Sequence, residues 1–160
     1  METVLTSVIA VLGTLAGTGA AYVLQQRAAA RNERIARQEQ LRRDQQQAVK
    51  ELVKALTAHR RGLYTRWKLA RQAVSADRQE EARWESWSTR SAVFDARDAL
   101  GMLTRDSELL HRADLAIGCS YALGDVDDST TQAVMDERGD LARAAHEEFV
   151  AAATAYVNGI

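Results

Sequence analysis

The sequence predicts an all-α protein in which a single N-terminal transmembrane helix continues into a long polar helix, followed by an antiparallel helical bundle. Its 160 residues contain no proline and nine glycines, and only 6% are aromatic while 27% are charged. This composition is typical of long helices. Residues 3–26 carry no charge, and beyond residue 49 apolar residues recur every three or four positions. A β-sandwich is disfavoured, and the single cysteine excludes an intramolecular disulfide framework.

The first element, residues 1–26, is predicted to be a membrane anchor, because its uncharged run is long enough to cross a bilayer. A cleaved signal peptide ending near Ala21 and a buried core helix are the alternatives; no positive charge precedes the apolar run, which disfavours the signal peptide. Arginines crowd the C-terminal flank, beginning with Arg27, Arg31, Arg34 and Arg37. The positive-inside rule therefore predicts a single-pass protein of the cell membrane with its C-terminal domain in the cytoplasm.

Small residues recur every four positions within the predicted anchor, at Gly13, Gly17 and Ala21. Such a line lets two membrane helices approach closely. Self-association into a homo-oligomer is therefore predicted, although small residues are also common in membrane helices that do not associate.

The second element, residues 27–48, is predicted to be a polar helical stalk, because it has good helix formers and few apolar positions. Residues 27–74 contain thirteen Arg or Lys against four acidic residues, whereas residues 75–160 contain eight against seventeen. The near-neutral total therefore hides a basic half and an acidic half. Either the acidic half folds back on the basic half, or each half faces a different partner.

The third element, residues 49–160, is predicted to be a cytoplasmic helical bundle. Its first helix has an apolar seam at Val49, Leu52, Leu56, His59, Leu63, Trp67, Ala70 and Val74. The pair Asp77 and Glu80 predicts a helix start after a turn near 75–78. The second helix then has apolar positions at Trp84, Trp87, Val93, Phe94, Leu100 and Leu103. Thr104 or Asp106 is predicted to cap a third helix. A capping box from Ser129 to Gln132 is predicted to start a fourth.

One basic and aromatic stretch of the first bundle helix is the candidate recognition segment, formed by Arg60, Arg61, Tyr64, Arg66, Trp67 and Lys68. Arginines can contact phosphates while aromatic rings stack on bases, which would suit nucleic acid. Trp67 belongs to the apolar seam, however, and the acidic half can neutralise the arginines. Packing within the chain is therefore favoured over nucleic-acid binding.

The residues that usually carry chemistry are scattered. His59, His111 and His146 show no metal-binding spacing, and Cys119 is the only thiol. The acidic segment 125–136 lacks the turn glycine and the final glutamate of a calcium loop. We therefore predict no cofactor, no metal site and no enzymatic activity; the expected partners are the membrane, a second copy and an unidentified protein.

The opening METVLTSVIAVLGTLAGTGAAYVLQQR, the arginine-rich polar helix and the segment HRRGLYTRW resemble the Kil-type (KilB-like) spread proteins of conjugative plasmids from mycelial actinobacteria. The resemblance covers about the first seventy residues. It implies a membrane-associated protein that helps a plasmid spread between mycelial compartments, with no catalytic motif to transfer. The alternative is a stator-like stalk, because an anchor followed by a charged helix is also similar to the b subunit of ATP synthase.

Overall fold

The computed structural model describes residues 2–72, 74–127 and 129–159, with side chains described for Tyr22 and from residue 25 onward. These residues form helices α1 (Glu2–Ala70), α2 (Ala76–Leu103), α3 (Ser107–Ala122) and α4 (Gln132–Gly159). No strand occurs among them, so the predicted all-α class is confirmed. The chain divides into two compact units, Met1–Leu41 and Arg42–Ile160.

The first unit is helical, and its described side chains, Tyr22 and residues 25–41, are all exposed. Arg37 forms an ion pair with Glu33 one turn earlier, a contact that stabilises an exposed helix slightly. Within the part of the chain that is described, no helix is long and apolar enough to cross a membrane. The side chains of most of the predicted span, with Gly13, Gly17 and Ala21, lie outside the described residues, so that span stays a prediction.

The second unit has a core to which all four helices contribute. Its larger cluster is formed by Ala48, Leu52, Leu56, Val93, Ala96, Leu100, Leu109, Ala113, Ala116, Phe149 and Ala153. A smaller cluster is formed by Leu63, Trp67, Leu123, Met135 and Ala142. Positions 52, 56, 59, 63 and 67 of the predicted α1 seam are buried, whereas Ala70 is exposed because the helix ends there.

Small residues let α1 and α2 approach closely. Gly62 of α1 is buried, and a Cβ atom added to it would lie 3.6 Å from Thr89 Oγ1 and 3.9 Å from Ser86 Cα. Ser86 is itself buried, as is Ala82 one turn before it. This stretch of α2 therefore turns small side chains toward α1, where larger ones would separate the helices.

The helix starts agree with the predictions only in part. Asp106 caps α3 as predicted, because its carboxylate accepts a hydrogen bond of 2.8 Å from the Leu109 amide. The predicted start at Asp77 is wrong, since α2 follows Ser75 and Asp77 lies in its first turn. The predicted capping box from Ser129 to Gln132 is also wrong, because Ser129 does not cap α4.

At α4 the capping oxygen comes from a different residue. Thr131 Oγ1 accepts a 3.4 Å bond from the Val134 amide, and the helix begins at Gln132. Ser129 instead donates from its amide, at 2.9 Å, and from its hydroxyl, at 2.7 Å, to the Asp127 carboxylate. These bonds lower the pKa of Asp127. Ser129 is thus used within the loop and does not cap the helix.

Candidate functional site

The candidate site lies where residues 59–71 of α1, residues 82–94 of α2 and the loop after α3 meet. It has two adjoining parts, a stripe of exposed apolar side chains on α2 and a pocket lined by arginines. Trp87 belongs to both parts. All of these residues lie in the unit Arg42–Ile160.

The exposed stripe, here called the tryptophan stripe, consists of Trp84, Trp87, Phe94 and Met102, which are 69%, 68%, 49% and 81% exposed. The sequence predicted the first three on the apolar side of the helix, and this prediction is wrong for all three. The buried side of α2 is instead formed by Ala82, Ser86, Val93, Ala96 and Leu100. Each set lies on one side of a helix with 3.6 residues per turn, so the helical period alone could not separate them.

Trp84 and Trp87 lie one turn apart and form a shallow groove of about 200 Å³ with Glu80 and Arg83. Arg83 pairs with Glu80 at 3.2 Å, which holds these two long side chains at one edge of the groove. Exposed tryptophans are costly to hydrate and are enriched at the centres of protein interfaces.

The second part, here called the arginine pocket, has a volume of about 180 Å³. Its polar lining comes from His59 and Arg66 of α1, Ser86 and Arg90 of α2, Tyr121 of α3 and Asp125 of the following loop. Leu63 and Trp87 form apolar walls. A Cβ atom at Gly124 would come within 3.3 Å of Leu63 Cδ2, so glycine lets the loop approach this wall.

Hydrogen bonds fix both Arg66 and His59 in the pocket. Arg66 donates to Ser86 Oγ at 3.3 Å and to the Gly124 carbonyl at 3.1 Å. The Thr89 hydroxyl lies 3.0 Å from His59 Nδ1 and 3.0 Å from each of the Glu85 and Ser86 carbonyl oxygens of its own helix. These contacts hold the imidazole ring against α2.

Burial and two cations keep His59 neutral. Desolvation, followed by repulsion from Arg90 and Arg66, lowers the pKa of His59 from 6.5 to about 4. The ring packs edge-on against Tyr121, with centroids 5.2 Å apart. His59 is therefore uncharged at neutral pH.

Arg90 and Tyr121 interact through the aromatic face. The Arg90 guanidinium carbon lies 4.7 Å from the Tyr121 ring centroid, a cation–π contact. The Arg90 side chain thus lies over the ring of Tyr121, whose hydroxyl oxygen is buried. Burial raises the pKa of Tyr121, and the positive charge of Arg90 partly offsets this rise.

The candidate recognition segment does not form one surface. Trp67 is in the core and 4% exposed, whereas Arg61 and Lys68 are exposed. Arg60 is directed to α4, where it donates to the Ala142 carbonyl at 2.9 Å. The Tyr64 hydroxyl accepts a 3.1 Å bond from Gln132. Of the six residues, only Arg66 lines the arginine pocket.

Arginines of α1 contact the rest of the bundle chiefly through backbone oxygens. Arg42, Arg60 and Arg66 donate to the carbonyls of Val157, Ala142 and Gly124. Arg71 donates in the same way to Thr130. The basic helix is therefore joined to the acidic half, as the charge pattern suggested, but these contacts use carbonyl oxygens in place of carboxylates.

The remaining candidate residues lie apart from the site. His111 is exposed, and Cys119 is half-buried. The pKa of His146 is lowered by burial and by nearby Arg60. In the described ranges, no three or more His, Cys, Asp or Glu side chains are arranged to hold a metal ion.

Fold and site together define a small helical-bundle protein with charged and aromatic side chains at one surface. A family model described as KilB plasmid transfer protein matches residues 46–157, well over half of the chain. The chain therefore belongs to the KilB plasmid transfer family. The match includes the acidic half, for which the sequence alone provided no recognisable signature.

One relative is Protein KilB of Streptomyces lividans, which is 46% identical over 88 residues. The alignment covers 55% of this chain and 57% of that protein, so the chain spans a little over half the length of this relative. No solved structure matches the chain. The tryptophan stripe and the arginine pocket lie within the residues that the family model matches.

Proposed function

We propose that this chain is a membrane-anchored, self-associating scaffold that assists the spread of a plasmid between mycelial compartments. Membership of the KilB plasmid transfer family supports this role over the ATP synthase stalk. The uncharged run of residues 3–26, followed by Arg27 and further arginines, supports an anchor in the cell membrane with the bundle in the cytoplasm. The protein acts through its position and assembly and not through catalysis.

The observation that carries the scaffold role is the tryptophan stripe. Trp84, Trp87, Ser91 and Phe94 follow the alternating three- and four-residue spacing of a two-helix seam. In an antiparallel pair of α2 helices centred between Ser91 and Phe94, Trp84 of one copy lies opposite Gly101 of the other, next to Met102. The stripe thus fits a second copy in its apolar content and spacing.

Cysteine cross-linking in membranes tests the assembly. In a Cys119→Ser background, Ser91→Cys lies on the stripe, whereas Ala92→Cys is also exposed but lies about 100° around α2 from Ser91. We expect oxidation to give covalent dimers with Ser91→Cys and far fewer with Ala92→Cys. Equal yields from the two variants would contradict pairing through the stripe.

Plasmid spread tests the function. A chain lacking residues 1–26 and the double variant Trp84→Ser, Trp87→Ser should both lose spread while the bundle still folds. Leu141→Ser is the matched control, because Leu141 is also an exposed large apolar residue, 58% exposed, but lies on α4. Full spread by the stably expressed protein lacking residues 1–26 would refute the membrane scaffold.

A further inference from the structure

The arginine pocket holds two positive charges without a partner of opposite sign. Within the part of the chain that the structure describes, neither the Arg66 nor the Arg90 guanidinium is within ion-pairing distance of a carboxylate. The other interhelical arginines with acidic neighbours do pair: Arg97 binds Asp114 at 2.6 Å, and Arg112 binds Glu148 at 2.6 Å. The pocket therefore brings together two cations whose charges no carboxylate of the described residues neutralises at ion-pairing distance.

The side chains around these cations either form hydrogen bonds with them or shield them from water. The Ser86 hydroxyl accepts a hydrogen bond from Arg66, and the Tyr121 ring lies under the Arg90 guanidinium. Leu63 and Trp87 reduce the access of water to one side of the pocket. Charge-assisted hydrogen bonds gain strength in such a partly dry setting.

Two titratable groups on different helices report the same positive potential. Arg90 and Arg66 lower the pKa of His59 on α1, and Arg90 acts to lower the pKa of Tyr121 on α3. Asp125, on the loop that follows α3, is the only carboxylate among the residues that line the pocket. The potential inside it favours an anion.

We propose that the arginine pocket is a binding site for a small oxyanion group, a phosphate or a carboxylate, held by Arg66 and Arg90. The Arg90 guanidinium lies over the Tyr121 ring and offers the ligand the N–H groups at its outer edge. Arg66 supplies the second cation. A volume of about 180 Å³ accommodates such a group together with a short attached segment.

Histidine NMR on the full chain in detergent micelles provides a test that does not depend on plasmid spread. The chain has only three histidines, so His111, which is exposed, serves as an internal control. Inorganic phosphate and malonate are added separately, with sodium chloride at matched conductivity as the blank. A bound anion favours the charged imidazole, so we expect the pKa of His59 to rise by about one unit or more while that of His111 does not.

The two probes distinguish the sources of the oxyanion. A response to phosphate alone assigns the site to a phosphate ligand, and a response to malonate alone assigns it to a carboxylate ligand. Responses to both support a general oxyanion site. An equal shift in sodium chloride, or no shift with either probe, would overturn the proposal.

Two arginine variants connect the response to the pocket. Arg90→Gln should weaken phosphate or malonate binding about tenfold or more, because it removes charge-assisted hydrogen bonds. Arg66→Gln should do the same but also removes the bonds to Ser86 of α2 and to the Gly124 carbonyl of the loop, so Arg90→Gln is the decisive variant. Arg61→Gln, which removes an exposed cation of α1 outside the pocket, should bind as the parent does. Equal binding by Arg90→Gln and Arg61→Gln would overturn the proposal.

Discussion

Tryptophan has opposite placements in α1 and α2, although the sequence predicts both on apolar seams. Trp67 is 4% exposed and packs with Leu63 and Leu123, whereas Trp84 is 69% exposed. The difference lies in what faces each helix. Trp67 fills the smaller core cluster beside Leu123 and Met135, while α2 turns Ala82 and Ser86 toward the close approach at Gly62. A large apolar residue is buried only where the backbones leave room for it.

The largest expected effect is the loss of the buried tryptophan. Trp67→Ala should lower the free energy of unfolding by about 3–5 kcal/mol, since it removes a large core side chain and leaves a cavity. Trp84→Ala should change it by less than about 0.5 kcal/mol, because that ring is mostly in solvent. Urea denaturation of the full chain followed by circular dichroism measures both. Equal losses would show that the two tryptophans are not placed as described.

A smaller effect is expected from placing a larger side chain at the close contact between α1 and α2. Ser86→Leu places a bulky side chain where Gly62 lies against α2, which should cost about 1–3 kcal/mol. Ser88→Leu is the matched control, because Ser88 is exposed on the same helix. Thermal melting should therefore show a lower Tm for Ser86→Leu alone. Similar Tm values would mean that the helices can separate without penalty.

The buried seam of α1 also makes the free energy of unfolding depend on pH, because it contains His59. The tryptophan stripe contains no titratable side chain. His59 has a folded-state pKa of about 4 and an unfolded value of 6.5. Above pH 6.5 both states are neutral, and between pH 6.5 and 4 the unfolded state takes up the proton that the folded state resists. Stability should fall across this window as the pH is lowered. Urea denaturation of His59→Asn at several pH values should show a shallower fall than the parent; identical slopes would contradict a buried neutral His59.

The smallest effect is expected on the polar helix before the bundle. Arg37 is exposed and forms one ion pair with Glu33, so Arg37→Ala should change stability by less than about 0.5 kcal/mol. Thermal melting should compare Arg37→Ala with Leu56→Ala, which removes a fully buried side chain. The loss of stability should be far smaller for Arg37→Ala. A large loss from Arg37→Ala would indicate a tertiary contact in the first unit.

The sequence predicted what depends on local chemistry and missed what depends on spacing between helices. The Asp106 cap and the seam from Leu52 to Leu63 are encoded within a few residues, and both are present. The orientation of Trp84 was missed because α2 has two faces of equal helical period, and the face with smaller residues is the inner one. The size of the side chains that fit between α2 and its neighbours depends on how closely those helices approach. The spacing of apolar residues along α2 carries no information about that distance.

The arginine pocket could not be predicted from the sequence, for a different reason. Its cations come from α1 and α2, and the ring under Arg90 comes from Tyr121 of α3. Only Arg66 was among the candidate residues, because the recognition segment was read along one helix. A cluster assembled from three helices has no sequence spacing of its own.

The arginine bonds from α1 to backbone carbonyls have a consequence for how the bundle responds to ionic strength. A carbonyl oxygen is a dipole without net charge, so Arg60 and Arg66 are fixed in place while their positive charges are not cancelled. Mobile ions screen the attraction between opposite charges but have little effect on a bond from an N–H group to a carbonyl. The bundle is therefore expected to remain joined in concentrated salt, while the long-range attraction of its basic helix for anionic molecules fades.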